Sequence, residues 1–265
     1  MKASPATSTP QAPSPSLRHA FSGVWRLTFP GFLSPGRLLL LAGLLAALAL
    51  LTLATTRHGG TTAFFDWTIK FYLTFLVPVL AFISAGGAIR DDLKPATVDY
   101  VFTRPVQRPT FVMCKFLAHL AGAQATGLLA LGALAGVGLF RGVPGLWTAL
   151  PLLLLAQILA VTIFTAFGFL CGTVTTRYLI VGLLYGGVVE IGIGAIPTQL
   201  NRLSMLHHVN TLLQPLTITA PAVAPPGLAA LPTAALLVLV SAAMIAVAAL
   251  LFGARELAGS RPKES

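Results

Sequence analysis

The residues with chemistry to offer are few and fall in three places. The densest is Ile89 to Lys115, IRDDLKPATVDYVFTRPVQRPTFVMCK, where five basic and three acidic residues lie within twenty-seven positions. Inside it, Thr103-Arg104-Pro105-Val106-Gln107-Arg108 is followed by Lys115. Two guanidinium groups and an ammonium so placed suit acidic protein surface or lipid phosphate. The second place is Glu190, set in the apolar, glycine-rich run GGVVEIGIGAI. Such a carboxyl has two readings: it lines a path or binds a polar substrate, or it is a protonated or hydrogen-bonded group holding helices or subunits together. The third is His207-His208. Adjacent helical residues point about 100° apart and no further ligands accompany them, so interfacial polar residues are expected there, not a metal site.

The chemistry of the common enzyme classes is missing. No Gly-Lys dipeptide occurs in these 265 residues, so there is no phosphate-binding loop of the GxxxxGK[ST] type. HExxH, CxxC and the GxSxG nucleophile elbow are absent too. Asp91-Asp92 has no second acidic cluster to complete a diphosphate–metal site, and an intramembrane enzyme would need a catalytic partner for Glu190 that the sequence does not offer. His119, Gln124 and Gln157 read as polar contacts between helices.

The elements that must position these groups are set by composition. Charged residues make up 9% of the chain and apolar ones 56%, against about 25% charged in ordinary soluble domains. Too few charges remain to cover a soluble surface, so the expected class is an all-α polytopic membrane protein. Its net charge of +10 then reflects Lys and Arg gathered on the cytoplasmic side of a bilayer, with no call for nucleic acid. Cys114 and Cys171, each near the cytoplasmic end of a span, are expected as reduced thiols.

Six runs have the length of about twenty residues that a helix needs to cross a bilayer. They are Leu38–Thr56, Phe71–Ile89, Phe116–Phe140, Ala149–Leu170, Tyr178–Ile196 and Ala229–Phe252. Pro78 is expected to kink the second, while Pro151 and Pro232 fall in first turns, where proline is tolerated. Residues 1–16 read as a disordered tail with no signal-peptide core, and 258–265 as a second tail. Leu17, Phe21, Val24 and Trp25 predict a short helix in the membrane interface, ended by Pro30-Gly31. With six spans both termini share a side, and thirteen of the seventeen Lys and Arg residues fall there, which makes the termini and the 90–115 island cytoplasmic. On the other side, 57–70 and 141–148 are short connections, whereas 197–228 is about thirty residues long. Its leucines at 200, 203, 206, 213 and 216 predict an amphipathic helix on, or dipping into, the outer leaflet. No internal repeat supports an inverted-repeat transporter.

The island also carries a resemblance. An acidic residue after the second span, a Thr, a Thr-Arg-Pro turn, an Arg and a Lys opening the third span resemble the membrane subunits of type-2 ABC exporters. Here these are Asp92, Thr97, Thr103-Arg104-Pro105, Arg108 and Lys115. Asp92 stands where that family usually has Glu, and Pro95-Ala96 where Gly is common. The six-span layout, the lead-in helix and the long outer loop match as well, so the resemblance covers nearly all of 17–257. It implies a permease in a bacterial plasma (inner) membrane that dimerises with itself or a related subunit. It also implies a separate cytoplasmic ATPase subunit that binds ATP and Mg, with no cofactor in this chain. On that reading Asp92, Thr97, Tyr100, Phe102, Arg104, Pro105, Arg108 and Lys115 couple the ATPase to the membrane part, and Glu190 is the candidate for the substrate path. A self-contained channel or secondary transporter is the alternative class, distinguished by whether an ATP-binding protein copurifies.

Overall fold

The computed structural model describes residues 21–23, 25–26, 34–57, 59–92, 108–194, 199–218 and 230–259, and every regular element among them is helical. Five helices are long and apolar enough to cross a membrane: α1 (Pro35–Thr55), α2 (Gly60–Asp92), α3 (Arg108–Phe140), α4 (Leu146–Val174) and α7 (Ala230–Gly259). Two shorter ones follow α4: α5 (Tyr178–Ile193), and α6 (Met205–Ile218) preceded by a 3-10 turn at Gln199–Leu203. The expected tails, most of the lead-in segment and the greater part of the island lie outside the described residues; Phe21–Gly23 and Trp25–Arg26 are helical.

α4 is the helix around which the others are arranged. It is apolar on all sides and the most buried of the five long helices, as expected when a helix has no solvent-facing stripe. It packs on α2, α3, α6 and α7. Two glycines set its approach to α2. A Cβ at Gly168 would lie 2.5 Å from the Phe82 carbonyl oxygen, and one at Gly172 would lie 2.7 Å from that of Gly86. Where lipid supplies no hydrophobic drive between helices, such close backbone packing is a main source of association. α1, by contrast, exposes Leu39, Leu40 and Leu50 and buries only Leu48 and Thr52.

Three boundaries depart from the sequence reading. The predicted outer connection 57–70 is mostly helix, because α2 begins at Gly60. Phe64, Phe65 and Ile69 form a buried face there, and Lys70 pairs with Asp66 one turn back at 2.9 Å. α3 likewise starts at Arg108, with Pro109 in the first turn, where its missing N–H costs nothing. Pro151 is inside α4 instead of in its first turn, because that helix starts at Leu146. Left-handed Gly142 (φ 63°) and Gly145 (φ 74°) shape the turn that precedes it.

α2 and α5 share an unusual feature: wide π turns, at Thr68–Leu76 and Tyr185–Ile193. In α2 the segment ends beside Pro78, with the Val77 N–H bonded to the Tyr72 carbonyl five residues back. A local widening of the helix thus comes just before the proline at which the sequence predicts a kink. α5 has seven α-helical residues and nine in π turns. At helical rise this covers about 24 Å, less than a hydrocarbon core of about 30 Å.

The bundle has two distinct ends. At the end where the island leaves α2 and re-enters α3, Ile89, Val112, Phe116, Phe169, Ala249 and Phe252 form a local apolar cluster. At the opposite end, Arg141 donates to the carbonyl and hydroxyl oxygens of Thr56 and, at 3.1 Å, to the Arg57 carbonyl. A cation thereby caps the carboxyl end of α1 and ties it to the α3–α4 turn.

The contact between α2 and α4 yields a direct test. Gly168→Val should lower stability by about 1–3 kcal/mol through overpacking against backbone, whereas Gly132→Ala, whose added Cβ meets nothing within 4 Å, should be neutral or better. Thermal unfolding in mild detergent measures both, and equal melting temperatures for the two variants would refute this packing account.

Candidate functional site

At the island end, Asp92 is the last residue of α2 and Lys115 lies two turns into α3. The Lys115 ammonium donates to Asp92 Oδ2, with the two side chains only 12% and 15% exposed. The structure therefore joins to each other two groups that the sequence offered separately, and closes the base of the island. The pair stands at the end of the bundle where the local apolar cluster includes Ile89, Val112 and Phe116, its near neighbours in sequence. Arg108 opens α3. Thr97, Tyr100, Phe102, Arg104 and Pro105 lie outside the described residues.

Glu190 is in the last turn of α5, three residues before that helix ends at Ile193; the predicted end of the span at Ile196 lies outside the described residues. It is buried, and its carboxylate accepts three hydrogen bonds from one neighbour. Ser204 donates its hydroxyl, the Met205 N–H donates to Oε1 at 3.0 Å, and the Leu206 N–H donates to Oε2 at 3.1 Å. The Ser204 Oγ in turn accepts the His207 N–H at 2.9 Å. The first turn of α6 thus has its free donors satisfied by an N-cap serine and by a carboxylate from another helix. An anion in this position also complements the positive end of the helix dipole. Gly194 makes the approach possible, since a Cβ there would lie 3.1 Å from Ser204 Oγ.

The histidines sit just beyond this cap. Partial burial, with His208 and Arg202 adding to it, holds the His207 imidazole below its usual range. His208 Nε2 is 2.9 Å from the Arg202 carbonyl oxygen. The outer leucines divide as well: Leu213 and Leu216 are buried against the bundle together with Val209 and Leu212, while Leu200 and Leu203 are exposed on the preceding 3-10 turn. Ser204 breaks the helical run that those leucines suggested. A serine before an apolar segment is an N-cap signal that sequence alone can supply.

Between the ends, polar side chains join the helices pairwise. The Tyr72 hydroxyl is 2.6 Å from Gln157 Oε1 and 3.0 Å from the Gly127 carbonyl oxygen. Gln124 donates to the Ile158 carbonyl at 2.9 Å and to Thr162 at 3.2 Å, and His119 Nε2 is 3.4 Å from Ser84 Oγ. These are the interhelical roles expected of Gln124, Gln157 and His119. Tyr72 gave no such signal, because only the fold brings it to Gln157.

The ion pair generates a prediction. Asp92→Asn or Lys115→Met alone leaves a partly buried charge without its partner and should cost on the order of 3 kcal/mol. The double substitution removes both charges and should cost clearly less than the two together. Thermal unfolding of the four proteins closes the cycle, and additive losses would show that the two side chains do not support each other.

Comparison with known proteins places these features in a family. No curated protein matches the chain. The profile of the ABC-2 family transporter proteins matches residues 40–257, from α1 through the described part of α7. It takes in the island, its ion-paired base and the α5–α6 contact, and it covers well over half of the sequence. The chain belongs to the ABC-2 transporter family and is a multi-pass membrane permease of the ABC transporter class.

Proposed function

We propose that this permease is half of an ATP-driven exporter that works as a dimer and takes its energy from a separate ATPase subunit. The observation that carries the reading is the family match across 40–257 in a sequence with no phosphate-binding loop. ATP and Mg are then held by the partner. α5, although short, makes the sixth crossing, with the thinner hydrocarbon it needs supplied by its polar end at Glu190 and by α6. The 13:4 division of Lys and Arg supports a topology with both termini and the island on the cytoplasmic side, in what the family implies is a bacterial inner membrane.

In this arrangement the island is where the ATPase acts. It joins α2 and α3 directly, and Pro105 and Pro109 limit its slack. The Asp92–Lys115 pair supports this role by tying the two helix ends, so displacement of the island moves both helices together. Arg104 and Arg108 meet acidic groups of the partner, Tyr100 and Phe102 supply an apolar anchor, and Thr97 lies between these and Asp92.

The experiment begins with tagged chain purified in mild detergent from its native host, where an ATP-binding protein should copurify. Single thiols placed at Val98 and Phe102, with Cys114 and Cys171 replaced by Ala, should crosslink to it. Arg104→Ala combined with Arg108→Ala should leave the protein inserted but abolish the response of ATP hydrolysis to substrate. Transport by the purified chain alone, without nucleotide, would overturn the ATPase reading. Crosslinks from Gly172–Thr176 with none from the island would move the coupling element elsewhere.

A further inference from the structure

Hydrogen bonds tie α6 to π-helical segments of two membrane helices. Its first turn is held by Glu190, in the π segment of α5. One and a half turns on, Asn210 Oδ1 accepts a hydrogen bond from the Thr74 hydroxyl at 3.2 Å, in the π segment of α2. Val209 between these points, and Leu212 and Leu213 beyond Asn210, are buried against the rest of the bundle. α6 has fourteen residues, a length at which a helix in isolation is marginal, so its form and place depend on these attachments.

We propose that Glu190 is a positioning residue whose carboxylate clasps α6 to α5, making α6 a strap that joins the end of α5 remote from the island to the π segment of α2. The clasp requires an acceptor at both oxygens. The hydrogen bonds that residues 204–206 make to the Glu190 side chain all come from donors: a hydroxyl and two backbone N–H groups. A carboxylate meets all three. An amide of the same shape would turn an NH2 toward donors, leaving a buried N–H without an acceptor and facing another N–H. A neutral structural carboxyl that only filled space would tolerate Gln; this one does not. The strap concerns this chain alone and does not depend on which partner drives transport. α2 runs from the strap at Thr74 to the island at Asp92, so the two ends of the bundle share one continuous helix.

Thiol accessibility tests the clasp on the full chain in lipid nanodiscs. With Cys114 and Cys171 replaced by Ala, a single thiol is introduced by Val209→Cys, at a fully buried position on α6. A second protein carries Ala156→Cys instead, buried in the middle of α4. Each is labelled with a polar maleimide in the wild-type, Glu190→Asp, Glu190→Gln and Glu190→Leu backgrounds. Loss of charge-assisted hydrogen bonds shifts an opening equilibrium by about tenfold or more. Labelling at position 209 should therefore accelerate by about that factor in both Gln and Leu backgrounds and less in Asp, while position 156 stays protected in all four. Protection at 209 that survives Glu190→Gln would overturn the carboxylate clasp. Equal exposure of 156 and 209 would also overturn it, because Glu190 would then support the whole bundle and not the position of α6.

Discussion

The bundle depends on the backbone contact between α2 and α4. Gly168 and Gly172 bring α4 against Phe82 and Gly86 with no side chain between them, and α4 then offers its other faces to α3, α6 and α7. In lipid, apolar side chains gain little by leaving their surroundings, so contact area at short range takes the place that burial from water holds in soluble proteins. A helix that can be approached this closely becomes the centre, and a leucine-covered helix such as α1 remains at the edge.

Polar groups are arranged around this centre according to what they cost. At the two ends stand the ionised and strongly polar contacts: Lys115 on Asp92 at one, Arg141 on the carboxyl end of α1 at the other. In the interior the contacts are uncharged, with Tyr72, Gln157 and Gln124 bonding to neighbouring helices. A single interhelical hydrogen bond of this kind contributes about 0.6 kcal/mol on average. Their larger effect is on register, since a buried donor shifted by one residue loses its acceptor. Glu190 obeys the same economy: its carboxylate is buried where three donors converge, among them two backbone N–H groups that the start of a helix leaves free.

For a permease, this distribution separates rigid from adjustable parts. α4 and the α-helical portion of α2 beside it, Val77–Asp92, are close-packed. The π segments of α2 and α5 lie toward the far end, where helical hydrogen bonding is least regular and where α6 attaches. Wide turns of this sort recur at functional positions in helices because they can be redistributed without breaking the helix. The close-packed portion of α2 thus connects the Asp92–Lys115 pair to the helix's own π segment.

Much of this was legible in the sequence. The class, the apolar runs, the polar island and the odd placement of Glu190 follow from composition and from segment length, because a bilayer imposes its thickness on any chain that crosses it. Boundaries were less legible. Gly60–Lys70 looked like a loop because Asp66 and Lys70 are charged, yet they pair along one face while Phe64 and Phe65 bury the other. Ser204 could have been read as a helix start, whereas the π turns had no sequence signal of their own. Sequence by itself determined that charged groups must gather at the ends and that a lone acid among apolar residues needs a partner. Which partner it took was decided by tertiary structure alone. Lys115 meets Asp92, and Glu190 meets the first turn of α6, because packing in three dimensions sets the separation and direction of donors, and a hydrogen bond is governed by both.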